Sequence, residues 1–544
     1  MLSKIEHNPI LTIVIVVLAM LCINISTLDI TIMEARNFIT AREMLTDGNW
    51  LLTTMNGEPR YQKPPLPTWL AAFSALIFGI KNIFALRLPG ILMVIITGIV
   101  SYLLSNKLLN NKVHALINAL ITITSFYVIG IIIEAPWDIF THGFMLVAIY
   151  HLFQLFEKEK QYWNHTLIAG LFFGLSIMCK GPVSLYALLL PFLIAYGFTY
   201  KFKNFRPKYF SIFSFIIIAL VIGGWWYLYV RIEDPETFIK ITNKETGNWG
   251  SYNVKPFYYY WSFFTQSGLW TLPAFIGLLY PYMKSRVSNL KAYKFSFLWT
   301  ILAVILLSLI PEKKSRYLMP VLIPMAINTG FYIEYLIIKF KDIKDTKETF
   351  PVYFNFGLIA VIGIAFPIAG YLFLKESINV NWALFSIAAL ALFNIGIIII
   401  LNLKRKNINT VFYLTITFIV TAFILLLPFS RNLRSDNYKS ISNLKEKTAS
   451  EGLSVYSFNY VSPEMIWQFG DKVPAIKLND STYNFPKANT FGILSNNISP
   501  KEKEFIKSNY NIEQIATFDL NVANPDSKSY KDRLISHYYV LTKK

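Results

Sequence analysis

Apolar runs of about 17 to 25 residues, the length that crosses a bilayer as helix, recur along most of this chain with short polar breaks between them. Read this way, spans are predicted at roughly 9–28, 84–105, 114–133, 137–156, 163–179, 183–200, 208–230, 268–283, 294–310, 316–338, 352–374, 381–402 and 409–428. The expected fold class is an all-α polytopic membrane protein with about 13 transmembrane helices and a small C-terminal α/β domain. One apolar segment is set aside. Residues 64–80, PPLPTWLAAFSALIFGI, could also span. The prolines Pro64, Pro65 and Pro67 suit a corner better than mid-bilayer, so this segment is expected to lie at the interface.

Charge decides that choice. With 64–80 at the interface, basic residues collect on one side. They are Lys107 and Lys112; Lys158 and Lys160; Lys201, Lys203, Arg206 and Lys208; Lys284, Arg286, Lys291 and Lys294; Lys339, Lys341, Lys344 and Lys347; and Lys404, Arg405 and Lys406. The formal net charge of +19 then reflects an inner face that meets anionic membrane lipid, and no nucleic-acid partner is expected. The two cysteines, Cys22 and Cys179, have neither disulfide nor metal spacing, and no metal site is expected. The first apolar run lacks a cleavage site and reads as an uncleaved span.

Under this topology the first loop (29–83), the turn from Glu134 to Asp138, the loop 231–267 and the turn from Pro311 to Arg316 share the outer face, with Lys180–Gly181 beside them. Residues 1–430 form the expected membrane domain. Residues 431–544 form an expected soluble extracytoplasmic domain, because apolar runs such as Leu453–Phe458, Thr490–Leu494 and His537–Leu541 alternate with helix-like runs.

The charged stretch from Met33 to Trp69 dominates the outer face. Ionisable groups against a membrane are costly and invite a functional reading. Thr31-x-x-Glu34 forms a capping box, so Glu34 reads either as a helix cap or as a carboxylate acting as general base. Arg60, Tyr61 and Lys63 precede a rigid proline corner. These cations either meet lipid headgroups or are held as phosphate ligands. Lys313, Lys314 and Arg316, beside Tyr317, are cations on the outer side against the general trend, and they suit phosphate oxygens. Asp138 and Lys180 are isolated ionisable groups near the same face; each could also pair with a neighbour. Aromatics crowd 249–270, from Trp249 and Tyr252 to Trp270, as an interfacial belt or as a lining for a lipid tail or sugar.

The pattern EAR-x-(5)-REML-x-DGNW-x-(5)-NG-x-(3)-Y-x-KPPL-x-x-W, beginning at Glu34, resembles the first external loop of the ArnT-like bacterial glycosyltransferases, a family 83 type within the GT-C class and related to protein O-mannosyltransferases. RLPG at 87–90, the Asp138 span, KGP at 180–182 and K-x-x-RYLMP at 313–320 match further family positions in order, over about residues 10–340. The resemblance implies sugar transfer from a polyprenyl phosphate carrier, with no separate cofactor, to a lipid or glycan acceptor outside the cytoplasmic membrane of a bacterium. It implies Glu34 as the family acid, with Asp29 or Asp138 in support. It implies Lys63, Arg316 and Tyr317 as phosphate-facing groups. Met33 stands where the family has Asp, and Gln62 where it often has Glu. Glu245-Thr246-Gly247-Asn248-Trp249 replaces a Glu-His pair with a following arginine, which points to a sugar other than aminoarabinose. The expected site is therefore Glu34 and Asp138 as acids, Arg60, Lys63, Lys313, Arg316 and Tyr317 on the carrier phosphate, and Tyr61, Lys180 and Glu245 lining the cavity, in a monomer. A transporter or flippase of a lipid-linked sugar is the alternative. It would place ionisable groups at mid-membrane rather than at one face. A non-catalytic scaffold is a third reading.

Overall fold

The computed structural model describes residues 2–202, 205–377, 379–477 and 482–544. Lys203 of the basic loops and the Trp249 side chain lie outside the described residues. Helices occupy every predicted span, but they are not equally long. Among the described residues nine are long and apolar enough to cross a membrane, or ten if the bent pair Lys112–Thr124 and Phe126–Glu134 counts as one. The other predicted spans are helices too, shorter or broken for local reasons.

The bent pair breaks at Ser125, where the chain is extended. Thr124 and Ser125 hydroxyls donate to the carbonyls of Leu120 and Ile121 one turn back, a contact that bends helices. The predicted 183–200 span is a shorter apolar helix, Leu185–Thr199. Its first turn is widened from Leu185 to Leu189, next to Pro191, whose ring clashes with a regular preceding turn and which lacks an N–H. The 268–283 segment splits into Thr271–Gly277 and Tyr280–Met283, because Pro281 cannot donate to the Gly277 carbonyl. The Tyr293 hydroxyl donates to that carbonyl instead, at 2.9 Å. Leu66–Phe78 has 13 residues, about 20 Å of helix, short of the hydrocarbon thickness. Ala71, Ala72 and Ala75 face the protein while Phe73, Leu76, Ile77 and Phe78 are exposed.

Past the last long helix the chain forms a four-stranded sheet in which Val455–Ser457 borders Thr490–Ser495, followed by Ile535–Lys543 and then Tyr510–Asp519. The first pair is parallel and the other pairs are antiparallel. Strand alternation sends Phe491 and Ile493 into one apolar cluster and Leu494 into another. The second cluster also contains Ile39 of the Ile32–Asp47 helix, so the domain sits on the first loop. Phe38 meets Trp467 edge-on at 5.5 Å, and Lys472 pairs with Asp47 at 2.8 Å. The Asn56 amide exchanges hydrogen bonds with the Val473 backbone at 2.8 and 2.7 Å.

Candidate active site

The first loop is built as a rigid frame. Thr31 caps the Ile32–Asp47 helix, its hydroxyl accepting from the Glu34 N–H at 3.3 Å while Glu34 Oε2 accepts from the Thr31 N–H at 3.1 Å. The hairpin Thr54–Met55/Glu58–Pro59 follows. Its tip, Asn56-Gly57, has φ of 60° and 81°, as a tight hairpin turn requires. Buried Glu43 accepts from the Thr54 hydroxyl and the Asn56 N–H, both at 2.6 Å, and from the Gly57 N–H at 3.2 Å. The chain then leaves through Arg60, Tyr61 and Lys63 into the proline corner.

Trp137, buried at the start of the Pro136–Glu157 helix, is the shelf on which that corner rests. The Lys63 ammonium lies 4.5 Å from its ring centroid and the Arg60 guanidinium 5.2 Å. The next residue, Asp138, is buried and ion-paired with Lys180. The Lys180 ammonium stands 4.9 Å from the Tyr317 ring. The Tyr317 hydroxyl donates to Glu312 at 3.1 Å, and Lys314 pairs with the same carboxylate at 2.6 Å. Arg316 is close enough to Lys63 and to Glu134 to act on both electrostatically. Four separated stretches thus meet at one end of the bundle.

The charges there do not balance. Glu312 neutralises Lys314 and Asp138 neutralises Lys180, which leaves Arg60, Lys63 and Arg316. Among the described residues, none of these three has a carboxylate within ion-pair reach, and the Arg316 Nε is buried without a hydrogen-bond acceptor. The crowding shows in the ionisation of Lys63. Burial first, then Lys180, Arg60 and Arg316 hold it well below the usual lysine value, with Asp138 opposing. Arg60 is pushed down to about 9 by burial and by Arg36. Glu134, which acts on Arg316 without forming an ion pair among the described residues, offsets only part of this excess, so the cluster favours an anion.

Four expected site residues do other work. Glu34 is fully buried and both its oxygens are engaged by Arg87, Nε to Oε1 at 2.6 Å and Nη2 to Oε2 at 3.0 Å. Arg87 also donates to the carbonyls of Ile25, Leu28 and Asp29. Glu34 therefore caps its helix and forms one half of a buried ion pair, its oxygens engaged by Arg87 rather than left open for a substrate hydroxyl, unlike the general-base expectation. Lys313 is buried, its ammonium donating to the carbonyls of Lys255 and Ile310 at 3.0 and 2.6 Å. It locks the 310–316 turn to the 253–255 segment, its ammonium committed to carbonyls. Tyr61 donates to Asp234 at 3.0 Å, tying the corner to the loop 231–267. Glu245 lies on the Pro235–Ser251 helix and has no ion pair with the cluster among the described residues.

The aromatic stretch divides in the same manner. Tyr252, Phe257, Tyr258 and Trp261 are exposed, whereas Tyr260 donates to the Lys314 carbonyl at 3.1 Å and Trp270 to the Thr124 hydroxyl at 2.9 Å. Sequence reasoning missed Arg87, Trp137 and Glu43. Arg87 had a signal, as a charge near the start of an apolar helix.

Comparison with known proteins agrees with this fold. Residues 62–226 match the dolichyl-phosphate-mannose-protein mannosyltransferase family model. An uncharacterized protein of Aquifex aeolicus is 26% identical over 309 residues, 54% of this chain and 57% of its own. The undecaprenyl phosphate-alpha-4-amino-4-deoxy-L-arabinose arabinosyl transferase 1 of Pseudomonas fluorescens is 26% identical over 314 residues, 55% of this chain and 54% of its own. The chain thus spans just over half the length of these curated relatives. The crystal structure of ArnT from Cupriavidus metallidurans in the apo state superposes with a TM-score of 0.67 at 13% identity, over 98% of this chain and 97% of that one. The form bound to undecaprenyl phosphate gives 0.65. The chain is a multi-pass membrane protein with the GT-C fold of ArnT, related in sequence to the ArnT-like glycosyltransferases.

Proposed function

We propose that this protein transfers a sugar from a polyprenyl phosphate carrier to a lipid A-like glycolipid or another cell-envelope acceptor, at the extracytoplasmic face of a bacterial inner membrane. One observation carries the reading. Arg60, Lys63 and Arg316 converge on the Trp137–Asp138 corner, and among the described residues none of the three has a carboxylate within ion-pair reach. A polyprenyl phosphate supplies the missing anion, and its charge grows as the bond from the phosphate to the sugar breaks. Fixed cations beside that oxygen stabilise the transition state more than the ground state. Lys180, held by Asp138, and Tyr317, held by Glu312, complete the rim. Attack by the acceptor from the far side of the sugar inverts the anomeric carbon. The names of the curated relatives and the carrier in the ArnT complex agree with this chemistry. All of these groups come from one chain, so a monomer suffices. In this reading residues 431–544 lie outside the membrane above the first loop, where they cover the site from the acceptor side.

Mass spectrometry of envelope lipids tests the proposal. Cells with the protein should show an acceptor heavier by one sugar. Cells without it, or with Lys63→Ala, should lack that species. Identical envelope profiles in all three would remove the assignment.

A further inference from the structure

Transfer to a hydroxyl needs a base, and the inference here rests on the carrier-dependent reading above. The carboxylates around the cluster can be taken in turn. Glu34 is closed by Arg87, Glu43 by the hairpin amides, Asp138 by Lys180, Asp234 by Tyr61 and the Thr237 N–H, and Glu312 by Lys314 and Tyr317. Glu134 differs from all five. It is exposed and has no ion pair among the described residues. It ends the Phe126–Glu134 helix immediately before the Pro136–Trp137–Asp138 corner. That helix packs against the 315–318 turn, and Glu134 acts electrostatically on Arg316, Asp138 and Tyr127. Tyr127 lies seven residues earlier, on the same helix face. One open carboxylate therefore stands beside the Trp137–Asp138 corner, where these five acids are committed.

The geometry points to Glu134 as the general base that takes the proton of an acceptor hydroxyl. In that step the hydroxyl proton passes to a Glu134 oxygen and the acceptor oxygen bonds to the anomeric carbon. The bond from that carbon to the phosphate oxygen breaks, its electron pair staying on the phosphate against Lys63 and Arg316. No oxidant, reductant or further reactant is needed.

Glu134→Gln tests this in membranes from the producing cells, which supply their own donor and acceptor. Binding of added undecaprenyl phosphate is measured in parallel. The expected result is a loss of transfer of about 100-fold or more, with carrier binding unchanged or tighter. Azide, a nucleophile with no proton to lose, should restore consumption of the donor as a glycosyl azide. Glu134→Asp should retain part of the activity. Transfer within a few-fold of wild type in Glu134→Gln would overturn the inference, and so would a loss that azide does not rescue. If the wild-type protein binds no undecaprenyl phosphate and modifies no lipid, the carrier-dependent reading itself fails. That outcome is read from wild type alone and is distinct from any result with the variant.

Discussion

Replacing Glu34 by glutamine separates a structural role from a catalytic one. In the folded protein Arg87 is 2% exposed and gives two hydrogen bonds to Glu34. Glutamine keeps the shape but leaves the guanidinium buried without a counter-charge. Removing one partner of a buried ion pair costs about 3–5 kcal/mol. The Ile25 and Leu28 carbonyls continue to hold Arg87, which favours the lower end, about 3 kcal/mol. At about 1.4 kcal/mol per tenfold, this is roughly a hundredfold in the folding equilibrium. Glu34→Gln should therefore lower both yield and melting midpoint in detergent, followed by tryptophan fluorescence. Arg87→Met should do the same. The double variant should recover part of the loss, because no buried charge is then left without its counter-charge. The cycle should show a coupling of at least about 2 kcal/mol. A Glu34→Gln protein that melts with wild type and fails only in transfer would refute this reasoning and return Glu34 to the chemistry.

Lys63 should make carrier binding depend on pH. Its neighbours hold the free ammonium well below the usual lysine value, and a bound phosphate would raise it again. Binding then takes up a proton, so affinity should fall as pH rises through the free-site value. Lys63→Met should bind more weakly and lose that dependence; an unchanged pH profile in Lys63→Met would place the proton elsewhere. Arg316→Ala should weaken undecaprenyl phosphate binding by roughly 10- to 100-fold, the range of a charge-assisted hydrogen bond. Lys313→Met should instead lower the melting midpoint with little change in carrier affinity, since its ammonium serves carbonyls. In a Cys22→Ala background, Asn82→Cys should react with an impermeant thiol reagent added outside intact cells. Labelling only after lysis would put the Leu66–Phe78 helix across the membrane.

The legible part of this protein was what hydrophobic periodicity and isolated charges encode. Every predicted span is helical, because apolar length alone requires it. Lys63, Asp138, Lys180 and Arg316 stood out as ionisable groups that the membrane environment does not tolerate idly, and the fold brings them to one rim. What the chain hid was pairing. Nothing local tells that Glu34 meets Arg87 across 53 residues or that Lys313 ends on two carbonyls while Arg316 stays free. The two lie three apart in one basic run, and the packing of the 253–255 segment against the 310–313 turn separates their fates. Trp137 reads as one more interfacial aromatic until Arg60 and Lys63 are seen to rest on it. Also hidden were the breaks where hydroxyls and prolines shorten or interrupt helices that remain apolar throughout, as at Ser125, Pro191 and Pro281.

Binding of undecaprenyl phosphate and undecaprenol to the purified protein, compared side by side, reaches the centre of the matter most directly. The two lipids differ only in the anion that Arg60, Lys63 and Arg316 are arranged to receive. The phosphate should bind saturably, at least about tenfold tighter than the alcohol, and Lys63→Ala should erase most of that difference. Equal affinity for the two lipids would contradict a phosphate-binding role for the cluster.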